Sequence, residues 1–268
     1  MRYSIKLSYD GSAFNGWQIQ PNAPSVQQTL ENALSRFLGG SIQVTGAGRT
    51  DTGVHAIGYV AHFECPDETT LTADEIRYKL NAILPSQICV HEVCRQDSTF
   101  HARFDAKKRG YVYFLHKGKD PFIGKRSWQC GFDLDVDKMN EAAASMLGTH
   151  DFSCFEKVGA DNKTSICTVT RAEWEEYTPD HVRMMGFPAQ KNGYLVFHIE
   201  ADRFLRNMVR ATVGTLVEVG RGRRSVEDFR ELILDASAGA EKSGTPARCR
   251  AGESVPGHAL FLCKVDYE

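Results

Sequence analysis

The chain predicts an α+β fold with mostly antiparallel sheets, and three observations predict it. Alternating runs such as Tyr3, Ile5, Leu7 and Tyr9 have the period of two of a half-buried strand. Between them lie stretches with apolar residues three and four apart, the spacing of an amphipathic helix. The two patterns come in the order β-α-β-β-α-β, and that order then recurs.

The elements follow in sequence. Asp10-Gly11-Ser12 ends the first strand. Ser25, with Gln28 three residues on, opens a helix whose apolar face is Val26, Leu30, Ala33, Leu34, Phe37 and Leu38. Gly39-Gly40 stops it. A short strand is expected over 42–45, and Ile57, Tyr59, Ala61 and Phe63 alternate as the next. Thr72 and Glu75 cap a second helix with Ile76, Leu80 and Ile83 facing inward, and 88–94 reads as a strand. The second series has strands at 110–116, 166–174, 194–201 and 259–265, with helices at 139–147 and 204–219. Two ferredoxin-like, RRM-like halves are expected, 1–105 and 106–268, with helices packed on the sheets around a central cleft. The stretches 118–137, 150–165 and 221–258 read as long polar loops, a kind that often carries function.

A chain of 268 residues, 42% hydrophobic and 25% charged, is long enough for a sizeable core and too apolar for disorder. No apolar run reaches the ~18 residues that span a bilayer. The N-terminus alternates in polarity and lacks the apolar core of a signal peptide, so a cytoplasmic protein is expected. Eight cysteines occur without a CxxC pair, which suits a reducing compartment and small buried side chains rather than zinc or disulfides. The net charge of −2 does not suggest nucleic acid, but two local blocks do. Residues 103–126 carry +6, including Arg103, Lys107, Lys108 and Arg109. Residues 203–224 carry +5, including Arg203, Arg206, Arg210, Arg221, Arg223 and Arg224. Such blocks suit phosphates.

The stretch GAGRTDTGVHA, 46–56, poses the chemical question. A phosphate-binding loop needs GxxxxGK[ST] opening a helix, and here a strand-like run follows. Asp-Thr-Gly also occurs in aspartic proteases, but these need a second carboxylate sharing a proton, and the chain has one such triplet. A third reading starts from residues 203–219. Read as one helix, most of its circumference is apolar, and Arg203, Arg206 and Arg210 lie on one line. A buried guanidinium calls for a carboxylate, and Asp51 in its glycine-rich turn is the best candidate. An Asp held ionised by an Arg is a nucleophile rather than an acid.

At this point the residues resemble a known family. GAGRTDTGVHA is similar to the catalytic motif of the tRNA pseudouridine synthase A (TruA) family. YDGSAFNGWQIQP (9–21), LNAILP (80–85), FHARFDAKKRGYVY (100–113), GTHDFSCF (148–155) and FLRNMVRATVGTLVEVG (204–220) follow in that family's order. The resemblance implies Asp51 as nucleophile, Tyr111 as the aromatic that stacks on the target base, and Arg210 as the cation paired with Asp51. It implies Arg49 and Leu260 as substrate-binding residues, Arg49 holding the flipped conformation and Leu260 lining the pocket. It implies isomerisation of uridines 38, 39 and 40 of the anticodon stem-loop by a homodimer, without cofactor or metal. Attack at uracil C6 and attack at ribose C1′ are both compatible with these residues. Lys107, Lys108 and Arg109, with Arg206, Arg221, Arg223 and Arg224, are then expected to contact tRNA. VPGHAL (255–260) departs from the family's Ala-Pro-x-x-Gly-Leu, with Ala259 in place of glycine. A rival from another class is a non-catalytic RNA-binding protein of the same fold, although no clear RNP1 sequence occurs.

Overall fold

The computed structural model describes residues 1–159, 163–186, 191–237 and 250–268. They form two compact units, Met1–Arg109 with Phe261–Glu268, and Gly110–Leu260. No described helix is long and apolar enough to cross a membrane.

The first unit contains β1 (Arg2–Tyr9), α1 (Val26–Leu38), β2 (Val44–Gly46), β3 (His55–Glu64), α2 (Ala73–Ile83), β4 (Ile88–Gln96) and, from the far end of the chain, β10 (Leu260–Asp266). β1 lies between β4 and β3, antiparallel to both. Because β1 occupies one edge of β3, β2 and β10 share the other. β2 pairs antiparallel at Val44↔Phe63, and β10 pairs parallel at Phe261↔His55 and Leu262↔Ala56. The order β4-β1-β3-β2 is that of the expected ferredoxin-like half. Ile5, Leu7, Leu30, Leu34, Ile76 and Leu80 are fully buried in this unit. Ser25 caps α1 by accepting from the Gln28 amide at 3.2 Å. Thr72 and Glu75 form a complete capping box on α2, a device whose hydroxyl is worth about 1 kcal/mol.

The second unit has strand order β5-β9-β8-β7, where β5 is Lys108–His116, β7 Gly148–Asp151, β8 Ile166–Glu176 and β9 Tyr194–Ala201. The short β6 (Trp128–Gln129) runs parallel to β5. β7–β8 and β8–β9 are antiparallel. The helices are α3 (Val136–Ala144), α4 (Asp180–Met185), α5 (Met208–Gly220) and α6 (Val226–Ser237). The sequence reading keeps the last strand with the second half, whereas the compact units place all of β10 but Leu260 with the first, beside β3.

Three expectations need correction. The supposed loop over 221–258 contains α6, opened by reciprocal bonds between Ser225 and Asp228, with Val226, Phe229, Leu232 and Ile233 buried. The supposed loops over 118–137 and 150–165 hold β6, the start of α3, and a 3₁₀ turn at Ser153–Phe155. The long helix at 204–219 begins only at Met208, because Asn207 has φ 69°, which a right-handed helix cannot contain. Arg203 and Arg206 therefore precede the helix, and the proposed line of three arginines does not exist.

One clasp orders the glycine-rich loop at 46–56. The segment after β1 folds back on it. The Trp17 amide donates to the Thr50 carbonyl at 3.2 Å, and the Gly53 amide to the Phe14 carbonyl at 3.4 Å. The Tyr9 hydroxyl and Thr50 Oγ1 are 2.9 Å apart and buried. The Gly11 amide donates to His55 Nδ1 at 3.1 Å. Gly16 sits at φ +92°, and a Cβ there would press into the Thr50 carbonyl oxygen. The motifs 9–21 and 46–56 are thus two sides of one contact.

A second ordered turn, 100–106, follows β4. The Ala102 amide donates to His62 Nδ1 at 3.1 Å, and the Tyr267 hydroxyl donates to the Ala102 carbonyl at 2.7 Å. His62 accepts only while Nδ1 is unprotonated. Burial, then the His101 and Arg2 charges, push its pKa from 6.5 to about 4.

Two outcomes are expected. Gly16→Ala destabilises by about 3 kcal/mol through strain and overlap, read by urea unfolding. Gly48→Ala, with nothing within 4 Å of the added methyl, is the control, and equal losses would refute the clasp. For His62, the unfolded chain takes up its proton near pH 6.5 while the folded chain resists until about 4. Its contribution is therefore full above pH 6.5 and declines as pH falls through that window. His62→Gln removes up to one proton from the slope of stability against pH. Parallel slopes for the two proteins would show that His62 is not held neutral.

Candidate active site

Asp51 opens a tight turn. The Val54 amide donates to the Asp51 carbonyl at 3.1 Å, and Gly53 between them has φ 77°. A turn with positive φ at its third position selects glycine. The triplet Asp-Thr-Gly is thus read as turn chemistry, with the acid at the turn's first position. Asp51 is half-buried while Thr50 before it is buried. The backbone under the carboxylate is held by the clasp, and the side chain stands where solvent still reaches it.

Arg49 is exposed, two residues away. No hydrogen bond or ion pair engages its guanidinium among the described residues. Lys107 is exposed too, with its amide donating to the Asp266 carbonyl at 2.8 Å, and Lys108 is half-buried. Arg109 is placed differently. Its Nη1 donates to the Ala106 carbonyl at 2.9 Å, and its Nη2 to those of Arg103 at 2.7 Å and Ala47 at 3.1 Å. Ala47 lies in the Asp51 loop. Charge-assisted bonds of this kind are the strong ones, so Arg109 ties that loop to the 100–106 turn. Nothing in the sequence distinguishes this arginine from its basic neighbours.

The remaining candidates belong to the second unit. Two tyrosines of β5 compete for the role given to Tyr111. Tyr113 is fully buried, its hydroxyl donates to the Pro256 carbonyl at 3.0 Å, and burial pushes its pKa upward. Tyr111 is half-exposed, with its ring edge-on to Phe204 at 5.0 Å. Tyr111 is the ring of the two that a ligand can reach.

Arg210 lies in the first turn of α5 and is half-buried. Its Nε donates to the Val255 carbonyl at 2.7 Å, and the Val255 amide donates back to the Arg210 carbonyl at 3.2 Å. The segment 250–256 is strapped along α5 in this way. The Gly252 amide donates to Thr215 Oγ1 at 2.9 Å, and Arg224 holds both Glu218 and the Arg250 carbonyl. The strap leads into a 3₁₀ turn, Gly257–Ala259, and then Leu260, which is 5% exposed. Ala259 is fully buried in that right-handed turn, so a methyl group is accommodated where the family pattern has glycine. Arg206 is exposed, and its carbonyl accepts from the Lys157 amide at 2.9 Å. Arg221 sits over the Phe132 ring at 3.4 Å.

Asp51, Arg49 and Lys107 to Arg109 thus belong to the first unit, and Tyr111, Arg206, Arg210 and Leu260 to the second. The supporting residues Tyr9, Thr50, His55 and Val255 escape sequence reasoning, because strand alternation or loop composition accounts for each of them.

A family model described as tRNA pseudouridine synthase matches residues 6–105 and 142–268. A tRNA pseudouridine synthase A of Bacteroides fragilis is 47% identical over 269 residues, covering 99% of this chain and 96% of that protein. The one from Porphyromonas gingivalis is 44% identical, covering 99% and 97%. The one from Bacillus licheniformis is 36% identical over the whole of both chains. Among solved structures, an archaeal box H/ACA sRNP Nop10-Cbf5 complex matches at a TM-score of 0.32 and 12% identity, covering 95% of this chain and 58% of that one. That likeness is too distant to carry an argument. The extent and identity of the sequence matches place the chain in the tRNA pseudouridine synthase family.

Proposed function

We propose that the chain isomerises uridine to pseudouridine at positions 38, 39 and 40 of the tRNA anticodon stem-loop, with Asp51 as nucleophile. The observation that carries this reading is the mount of Asp51, a half-exposed carboxylate on a turn whose backbone is pinned from both sides. Rigid presentation lowers the barrier by pre-paying the entropy of orientation.

The reaction breaks the C1′–N1 glycosidic bond, forms C1′–C5, releases the C5 proton and takes up a proton at N1, with no net change of oxidation state. It proceeds without cofactor or metal. The uracil must leave its stack, which costs a few kcal/mol. Stacking on Tyr111 returns roughly 1–3 kcal/mol of that. By the family resemblance, Arg210 is the cation assigned to Asp51, Arg49 holds the flipped nucleotide, and Leu260 lines the base pocket. The exposed Lys107 and Arg206, with Lys108, attract phosphates without reading sequence. Arg109 supports the segment that carries Lys107 and Lys108 through the carbonyls it holds. The enzyme acts in the cytoplasm as a homodimer, one tRNA lying across both subunits. The ordered family motifs along the chain support this part of the reading.

Asp51→Asn is expected to abolish tritium release from tRNA carrying [5-³H]uridine while tRNA binding persists. Release by that variant at the wild-type rate would remove Asp51 from the mechanism. Absence of release by the wild type, with binding intact, would favour the RNA-binding reading. Arg210→Ala is expected to lose turnover and also about 1.5–3 kcal/mol of stability, because the charged bond to the Val255 carbonyl goes with it. Urea unfolding measures the second loss, and an unchanged midpoint would contradict the strap.

A further inference from the structure

The turn at 100–106 is ordered beyond what a connection between β4 and β5 requires. The His101 amide donates to Asp105 Oδ2 at 2.7 Å. The amides of Arg103 and Phe104 both donate to His101 Nδ1 at 3.2 Å. The carbonyls of Ala102, Arg103 and Ala106 accept from Tyr267 and Arg109. This mount presents one large apolar side chain to water, Phe104, which is 73% exposed. The His101 ring lies 4.2 Å from the Phe104 ring, and the Arg103 guanidinium stands over it at 5.7 Å. Folding gains nothing from displaying a phenyl ring on a rigid arm, and a ligand with a π-face does.

We propose that Phe104, with Arg103, is a stacking element for a nucleobase of the substrate RNA other than the isomerised uridine. The inference rests on the tRNA reading above. Charge selects RNA over a protein surface as the occupant. Residues 103–109 hold four basic side chains and one acid, and that acid, Asp105, is already occupied within the turn. Phosphates are thus drawn to the place where the ring waits, the combination that single-stranded nucleic acid recognises. Through Arg109 the turn is also tied to the Asp51 loop, so a base held on Phe104 is registered against the catalytic turn.

The test measures tRNA affinity by filter binding, and tritium release at saturating tRNA, for wild type, Phe104→Ala, Phe104→Leu and Phe104→Tyr. Loss of a stacked base is expected to weaken binding of the Ala and Leu variants roughly 5- to 100-fold. The Tyr variant should bind like wild type. Wild-type affinity in Phe104→Leu would overturn stacking. A changed oligomeric state in Phe104→Ala, with unchanged tRNA affinity, would overturn it in favour of a contact between copies. Tritium release by the wild type separates these outcomes from failure of the tRNA reading itself.

Discussion

The structure of the Asp51 loop depends on one backbone contact, the seating of Trp17 and Gly16 against the Thr50 carbonyl. Thr50 immediately precedes Asp51, so fixing its carbonyl and its hydroxyl fixes where the carboxylate chain begins. The Tyr9 hydroxyl, buried against Thr50 Oγ1, closes the same contact from the strand side. A loop with this many glycines would otherwise sample many conformations. Here its freedom is removed by bonds from a segment some 35 residues earlier in the chain.

The arginines divide by what they are bonded to rather than by where they fall in the sequence. Arg109 spends its guanidinium on three carbonyls, and Arg224 on Glu218 and the Arg250 carbonyl. Arg49 and Arg206 stand in solvent. A guanidinium carries five donors in a fixed plane, which suits it equally to sewing loops together and to holding phosphates. A basic block therefore mixes fasteners with cations left in solvent, and composition alone does not separate them.

In the second unit α5 is the mast. All of its residues but Arg210 and Glu218 are buried, and the strap at 250–256 runs along it. Gly214 makes room for the Glu253 carbonyl, Thr215 receives the Gly252 amide, and Arg210 bonds the Val255 carbonyl through its side chain and the Val255 amide through its own carbonyl. The atypical VPGHAL segment is positioned by these bonds, and Ala259 fits because its turn is right-handed.

The sequence by itself determined the first unit almost completely. Alternation in β1 and β3 and the Ser25 and Thr72 caps are local signals, and local energetics decide them. It also marked Asp51, because a turn needing positive φ leaves glycine in the chain as a visible trace. It did not reveal α6, although Ser225 and Asp228 spelled a cap, since the polar stretches on either side diluted the period. Nor did it place the start of α5, which turns on the left-handed backbone of a single residue, Asn207. The pairing of β10 with β3, the burial of Tyr113 but not Tyr111, and the carbonyls that Arg109 and Arg210 hold were decided only by tertiary structure. Each depends on a partner far away in sequence, and neither periodicity nor charge records which carbonyl a side chain will meet.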